Sequence, residues 1–333
     1  MAVKVAVVGV GYLGQHHARI YSELTETELV AVVDIDTVLA EEVARRYNTR
    51  AFRDYKDILD GVNALSIVTP TTSHHGIALE CMRRGKDLLV EKPITVTMDQ
   101  ANELISEAEE RELVLQVGHL ERYNPGVIAI SEIVNGPQFI EAVRVSPFLN
   151  RAVDVDVTLD LMIHDIDVVL SLVRAPIGSM RAAGFSYMTE KIDDARVWIE
   201  FENGVMAYLT ASRIAQNKIR KLRVFQKHSH LELDYENTEV RCCFNPARGG
   251  KPYPQGDVLH DNFSLKNAGV FQENGKGCLI NIIKPAYMEP LRGELQEFIR
   301  SVITRERPKV SGVEGREALK VALDINTLIS GGR

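Results

Sequence analysis

Lys92 stands in the stretch EKPIT, directly after the apolar run of residues 87–90. That run reads as a buried strand, and a lysine at its end carries a charge that must be solvated, neutralised or held. Pro93 stops the strand and restricts Lys92 to extended backbone. The ammonium therefore leaves on a stiff neck. Either it snorkels to water, or it is held in a site, where partial desolvation lets it trade a proton near neutrality or polarise an oxygen. A second set lies in TLDLMIHDIDVVL. On a helix, Asp160 and His164 stand four apart and Asp167 three further on, so all three share one face. His164 could exchange a proton near neutral pH. Asp160 would orient it or hold a substrate hydroxyl, and Asp167 would fix its tautomer. The plainer reading is an aspartate complementing the helix dipole and a satisfied core histidine.

Near the start, VAVVGVGYLGQHHA sets Gly9, Gly11 and Gly14 at GxGxxG spacing between a strand and a helix, with Tyr12 and Leu13 inside the loop. The first glycine allows the tight turn, the second lets backbone approach a pyrophosphate, and the third lets helix pack on strand. The helix start offers free N–H groups to phosphates. Asp34, twenty residues after Gly14, ends the second strand, where an acid binds the ribose hydroxyls of NAD. Its charge would repel the 2′-phosphate of NADP, and no arginine directly follows. The expected cofactor is NAD rather than NADP. VTPTTSHH, residues 68–75, follows the fourth strand at the sheet edge where such folds bind ligands. Thr69, Pro70, Thr71 and His74 are cofactor-binding candidates there, as are Glu91 and Lys92 at the end of the next strand. Thr71, Thr72 or Ser73 would equally cap a helix beginning at His74.

These groups need a scaffold, and the pattern supplies one. Apolar strands at Val3–Val8, 29–33, 64–68, 88–90 and 113–117 alternate with helices at residues 12–24, 37–47, 74–84 and 98–111. That alternation implies a doubly wound parallel sheet of the Rossmann type, an NAD-binding domain over residues 1–120. Residues 121–333 form a second α/β domain for substrate binding and oligomerisation. It has helices at 124–134 and 159–173, then long alternating runs to about residue 235 that form a mainly antiparallel open sheet. Asn203-Gly204 marks a hairpin within it. Residues 245–276, rich in Gly, Pro, Asn and Lys, read as long loops. Helices at 290–305 and 313–330 close the chain and are candidates for packing back on the first domain.

The 333 residues carry a net charge of −7, against a nucleic-acid footprint. No apolar stretch is long enough for a membrane span, and no signal peptide is legible. The four cysteines show no metal spacing and fit thiols in a reducing cytoplasm, with Cys242 and Cys243 on two faces of one strand.

Together the GxGxxG, the TP-containing VTPTTSHH, Glu91-Lys92-Pro93, DxxxHxxD at Asp160, His164 and Asp167, and the tail RPKVSGVEGREALKVAL resemble the Gfo/Idh/MocA oxidoreductase family over the whole chain. The resemblance implies transfer of hydride between NAD(P) and a sugar or polyol carbon. It places the family's catalytic lysine on Lys92, its aspartate on Asp160 and its histidine on His164, with Lys92 or His164 as proton acceptor. At VGHLERYNP, where relatives often carry an Arg-Phe or Arg-Tyr pair, Arg122, Tyr123 and Asn124 become substrate-binding candidates beside Asp160 and His164. Asn124 would otherwise simply cap a helix. The resemblance is closest to the nucleotide-sugar branch, with UDP-N-acetylglucosamine oxidised from 3-hydroxyl to 3-keto. Lys218, Arg220, Lys221 and Arg223 offer positive charge for a diphosphate. An inositol or monosaccharide dehydrogenase is the alternative, and a cofactor-binding regulator without catalysis is the alternative of another class. The resemblance also implies a homodimer or homotetramer through the second domain's sheet.

Overall fold

The computed structural model describes residues 2–149, 154–245, 263–273 and 276–331. They form two compact units, Met1–Leu120 with Glu289–Lys320, and Glu121–Met288 with Val321–Arg333.

The first unit is built on six parallel strands: β1 (Val3–Val8), β2 (Thr27–Val33), β3 (Arg50–Phe52), β4 (Ala64–Ile67), β5 (Asp87–Glu91) and β6 (Leu115–Gly118). Their order is β3-β2-β1-β4-β5-β6. The crossover helices are α1 (Tyr12–Glu23), α2 (Thr37–Arg46), α3 (Thr71–Arg83) and α4 (Met98–Glu110). β4 and β5 are buried along their whole length, as strands covered on both faces must be. Side chains fix several helix starts. Asp36 accepts from the N–H groups of Val38 and Leu39, and Thr97 accepts from that of Gln100. The strand order reverses beside β1, and the crevice for a ligand in such a sheet lies outside the strand C-termini at that point. Gly9, Thr69 and Lys92 follow β1, β4 and β5 on that edge.

α3 begins at Thr71, not at His74 as its sequence suggested. Pro70 supplies the entry, and its carbonyl accepts from the N–H and the hydroxyl of Ser73 at 2.9 and 2.8 Å. Thr71, Thr72 and Ser73 are thus the first turn rather than caps of a later helix.

The second unit opens with α5 (Pro125–Ile133), capped by Asn124, whose Oδ1 accepts from the Gly126 N–H at 2.9 Å. Strand β7 (Pro137–Val145) follows. The expected helix over 159–173 is split: Thr158–Met162 is a wider π turn, and α6 proper is Ile163–Val173. Asp160 and His164 therefore lie on either side of a helical junction, and such insertions are frequent at functional sites. Strands β8 (Ile177–Phe185), β9 (Asp194–Phe201), β10 (Met206–Ser212), β11 (Ile219–Gln226), β12 (Ser229–Asp234), β13 (Glu239–Phe244), β14 (Phe263–Glu273) and β15 (Lys276–Pro285) complete a nine-stranded sheet. Its order is β14-β15-β13-β12-β11-β7-β10-β9-β8. All neighbours are antiparallel except β7 and β10. Asn203-Gly204 makes the β9–β10 turn, with Gly204 at φ +82.

The loop expected over 245–276 is corrected in part. Residues 263–273 and 276 are strand, while 246–262 lie outside the described residues. Among the described residues β14 lies at the edge of the sheet, with a bulge between Asn267 and Gly269.

One face of this sheet is packed by α5 and α6, burying Ile140, Ala142, Leu209, Leu222, Val224 and Leu233. The chain closes with α7 (Pro290–Thr304) and α8 (Gly312–Gly331). α7 packs on α1 and β1 inside the first unit, burying Leu295 and Phe298.

Candidate cofactor and active site

The glycine loop has the geometry its spacing requires. Gly9 holds φ +88, and a β-carbon there would stand 2.6 Å from the Val68 carbonyl oxygen. A β-carbon on Gly14 would collide with the Gly9 carbonyl. Gly11 is the N-cap of α1 with no side-chain cap, and a β-carbon there would meet nothing within 4 Å. So Gly9 and Gly14 are required by the protein's own packing. At Gly11 the space in front of the helix is open, as a pyrophosphate needs. Tyr12 is exposed and meets His16 edge-on, while Leu13 packs on the core.

A cavity of about 940 Å³ lies along this edge, lined by Gly9, Gly11, Asp34, Thr69, Pro70 and Ser73 among others. Asp34 is fixed by backbone: Oδ2 accepts from the Val10 N–H at 2.8 Å and Oδ1 from the Asp36 N–H at 3.0 Å. One acid therefore closes the glycine loop and lines the cavity. The open approach at Gly11 together with this anchored carboxylate fits NAD. The hydroxyls of Thr69 and Ser73 are hydrogen-bonded at 2.8 Å, and Thr71 is half-buried beside them. A smaller hollow of about 710 Å³, lined by Val114, Leu115, Arg305 and Pro308, lies at the other ends of the strands, away from the glycine loop.

His74 is buried, and its ring nitrogens face the carbonyls of Thr69 and Pro93 at 2.8 and 2.9 Å. Glu91 is buried too. Its carboxylate meets His17 Nε2 at 3.2 Å and accepts from the Lys92 N–H at 3.2 Å. Lys92 itself is half-buried. Sequence reasoning missed His17, although its position three residues after Gly14 puts both on the face of α1 turned to the sheet.

In the second unit, Asp160 and His164 are half-buried, and Asp167 is buried. Asp167 Oδ1 accepts from Arg122 Nη1 at 3.2 Å, so this acid ties the 120s segment to α6. Tyr123 is buried, and Asn124, besides its cap, donates towards Glu121 and the Tyr235 carbonyl at 3.4 and 3.5 Å. Arg144 was not anticipated. It is buried beneath these residues, bound twice by Asp165 and once by Glu121, and stacked over Tyr235 at 4.9 Å. Burial disfavours its charge, but Asp165 and Glu121 outweigh that and hold it well above the ordinary guanidinium value. Of the cations in and beside β11, Lys218 pairs with Glu236, Lys221 with Glu232, and Arg223 with Glu141 and Glu232. Burial, then neighbouring Arg144, lower Arg220 below the ordinary value.

Two family models match this chain. An NAD-binding Rossmann-fold oxidoreductase model covers residues 3–119, and a GFO/IDH/MocA C-terminal domain model covers 137–232. Among curated relatives, UDP-N-acetylglucosamine 3-dehydrogenase of Acidithiobacillus ferrooxidans is 32% identical over 98% of this chain and 97% of its own. Its solved structure superposes with a TM-score of 0.87, covering 99% of this chain and 98% of that one. An NAD-dependent scyllo-inositol 2-dehydrogenase of Bacillus subtilis is 27% identical over 63% of this chain and 67% of its own. The scyllo-inositol dehydrogenase of Lactobacillus casei, solved with NAD(H) and scyllo-inositol, shares the fold at TM-score 0.75 and 18% identity. The chain belongs to the Gfo/Idh/MocA oxidoreductase family. It is an NAD-binding oxidoreductase.

Proposed function

We propose that the chain oxidises a nucleotide sugar, UDP-N-acetylglucosamine at its 3-hydroxyl, with NAD preferred to NADP. The observation that carries this is the 32% identity over 98% of the chain to a UDP-N-acetylglucosamine 3-dehydrogenase, where a myo-inositol 2-dehydrogenase of Thermotoga maritima aligns over 95% of it at only 22%. Gly9, Gly11, Tyr12, Leu13 and Gly14 would hold the cofactor's phosphates and Asp34 its ribose hydroxyls. Thr69, Pro70, Thr71, Glu91 and Lys92 would face its other end, with His74 acting through the Thr69 backbone. When bound, NAD supplies the acceptor for the hydride of the carbinol carbon.

The hydroxyl proton is left to the chain's own residues. Lys92 Nζ or a ring nitrogen of His164 takes it, and Asp160 orients the substrate and the base. Arg122, Tyr123 and Asn124 serve the substrate side, Arg122 through its pair with Asp167. Tests follow absorbance of reduced nicotinamide with purified protein and NAD. A rise with UDP-N-acetylglucosamine, and little with N-acetylglucosamine or inositol, is expected. A rise with inositol alone would replace the substrate. Lys92→Met should abolish turnover and leave NAD binding largely intact, whereas near-wild-type kcat would remove Lys92 from the mechanism.

The second unit's sheet offers a homo-oligomer contact. Opposite the helices, Trp198, Tyr208, Phe139, Phe225 and His230 form a chain of ring contacts at 5.5–6.0 Å. Trp198 and Phe225 keep 39% and 36% of their surface exposed, large for aromatic residues on one face. A second copy of the chain, as dimer or tetramer, would cover them, and sedimentation of Trp198→Glu against wild type tests this. A reducing cytoplasmic setting is supported by the thiols of Cys81, Cys242 and Cys243, none of them in a disulfide. Among the described residues no helix is long and apolar enough to cross a membrane.

A further inference from the structure

We propose that two buried histidines, His17 and His74, are positioning residues that fix Lys92 from both flanks. The inference rests on the reading of Lys92 as the residue that meets the reacting hydroxyl.

His17 projects from α1, the helix that begins at the glycine loop. It is fully buried, and its Nδ1 has no hydrogen-bond partner, so Glu91 is the ring's anchor. A carboxylate only accepts, so Nε2 must be the ring nitrogen that carries hydrogen. The other oxygen of Glu91 accepts from the Lys92 backbone N–H. One carboxylate thus spans from the cofactor helix to the residue bearing the ammonium. The neighbouring strand is shaped for it: Gly118 pairs with Glu91 in register, and a β-carbon there would stand 2.7 Å from the carboxylate.

His74 acts on the other flank. It projects from α3 and touches the carbonyl of Pro93, the residue after Lys92, and the carbonyl of Thr69 in the cofactor-side loop. Both partners are acceptors, so the ring nitrogen that carries hydrogen donates to its carbonyl while the ring stays wedged between the two. A glutamine side chain has donors on one nitrogen alone and cannot span two carbonyls on opposite sides. Glu91 and Pro93 are thereby held by two different helices, and Lys92 sits between them with its backbone fixed. A side chain misplaced by about 1 Å can cost a hundredfold in rate, so such bracing is a catalytic asset.

The test uses the full chain and needs no substrate. Trace acetic anhydride is applied to wild type, His17→Gln, His74→Gln and Gly118→Ala, and acetylation of Lys92 relative to exposed Lys4 is read by peptide mass spectrometry. Gly118→Ala leaves both histidines in place and displaces Glu91, which guards against a fold defect particular to either histidine variant. The relative labelling of Lys92 should rise threefold or more in all three. For His17→Gln, NAD affinity should stay within threefold, and for both His17→Gln and Gly118→Ala kcat for sugar oxidation drops tenfold or more. Wild-type labelling of Lys92 in folded variants would overturn the proposal. Altered labelling in a protein that oxidises no sugar would uphold the bracing and overturn the substrate reading instead.

Discussion

Arg144 and Asp165 meet at two points, Nε to Oδ2 at 2.8 Å and Nη2 to Oδ1 at 2.9 Å, with both side chains withdrawn from solvent. The pair joins β7 to α6 one residue after His164. Removing one partner of a buried pair leaves an uncompensated charge, at about 3–5 kcal/mol. Arg144→Met should lose stability of that order in chemical denaturation. The double variant Arg144→Met/Asp165→Leu should be less destabilised than Arg144→Met alone. A single variant as stable as wild type would show that the pair does not hold α6.

Asp34 has two duties that a substitution can separate. Its carboxylate holds the Val10 and Asp36 N–H groups, and in the proposed function it also binds ribose hydroxyls. A hydrogen bond to a charged group contributes about 1.5–3 kcal/mol, so Asp34→Ala should weaken NAD by roughly ten- to a hundredfold in calorimetric titration. NADP should suffer less, because a repulsive charge is removed along with the contacts. Equal losses for both cofactors would confine Asp34 to its loop.

Asp193 gives the second unit an acid-sensitive contact. Burial opposes its charge, but the N–H groups of Tyr187, Met188 and Thr189, at 2.7, 2.6 and 2.9 Å, and the Thr189 hydroxyl outweigh it and hold its carboxyl below the ordinary 3.8. A carboxyl depressed in the folded state binds protons more readily when unfolded. Its stabilisation is complete above the unfolded value and fades as pH falls from about 4 through the folded value. Asp193→Asn should lower stability at neutral pH and flatten its decline below pH ~4 in denaturation curves taken at stepped pH. Parallel acid limbs for variant and wild type would exclude the role.

Thiol reactivity should follow burial. Desolvation pushes the thiols of Cys81 and Cys242 up to about 12, leaving almost no thiolate at neutral pH. Cys243, on the opposite face of β13, is half-buried. Iodoacetamide on the native protein should alkylate Cys243 well before Cys81 or Cys242, with peptide mass spectrometry reading the order. Early loss of Cys81 would mean that α3 opens locally.

What was legible in the residues was local. The glycine loop, the Asn124 cap and the Asn203-Gly204 turn each depend on conformations within a few positions, and apolar periodicity separated a parallel sheet from a mainly antiparallel one. The start of α3 was displaced because a proline carbonyl and Ser73 can open a helix as well as a threonine cap can. The π turn at Thr158–Met162 leaves no mark in spacing, since one extra residue per turn depends on the packing around it. The pairing of β14 with β15 was hidden by the Gly, Pro, Asn and Lys of the stretch around β14, which read as loop. Above all, the partners of the chemistry-bearing residues were out of reach. His17 and Glu91 lie 74 positions apart, Arg122 and Asp167 45, and Arg144 and Asp165 21. Residue type says that a buried charge must find a partner, but which partner it finds is set by strand order and helix packing, and those arise only when the whole chain closes its core.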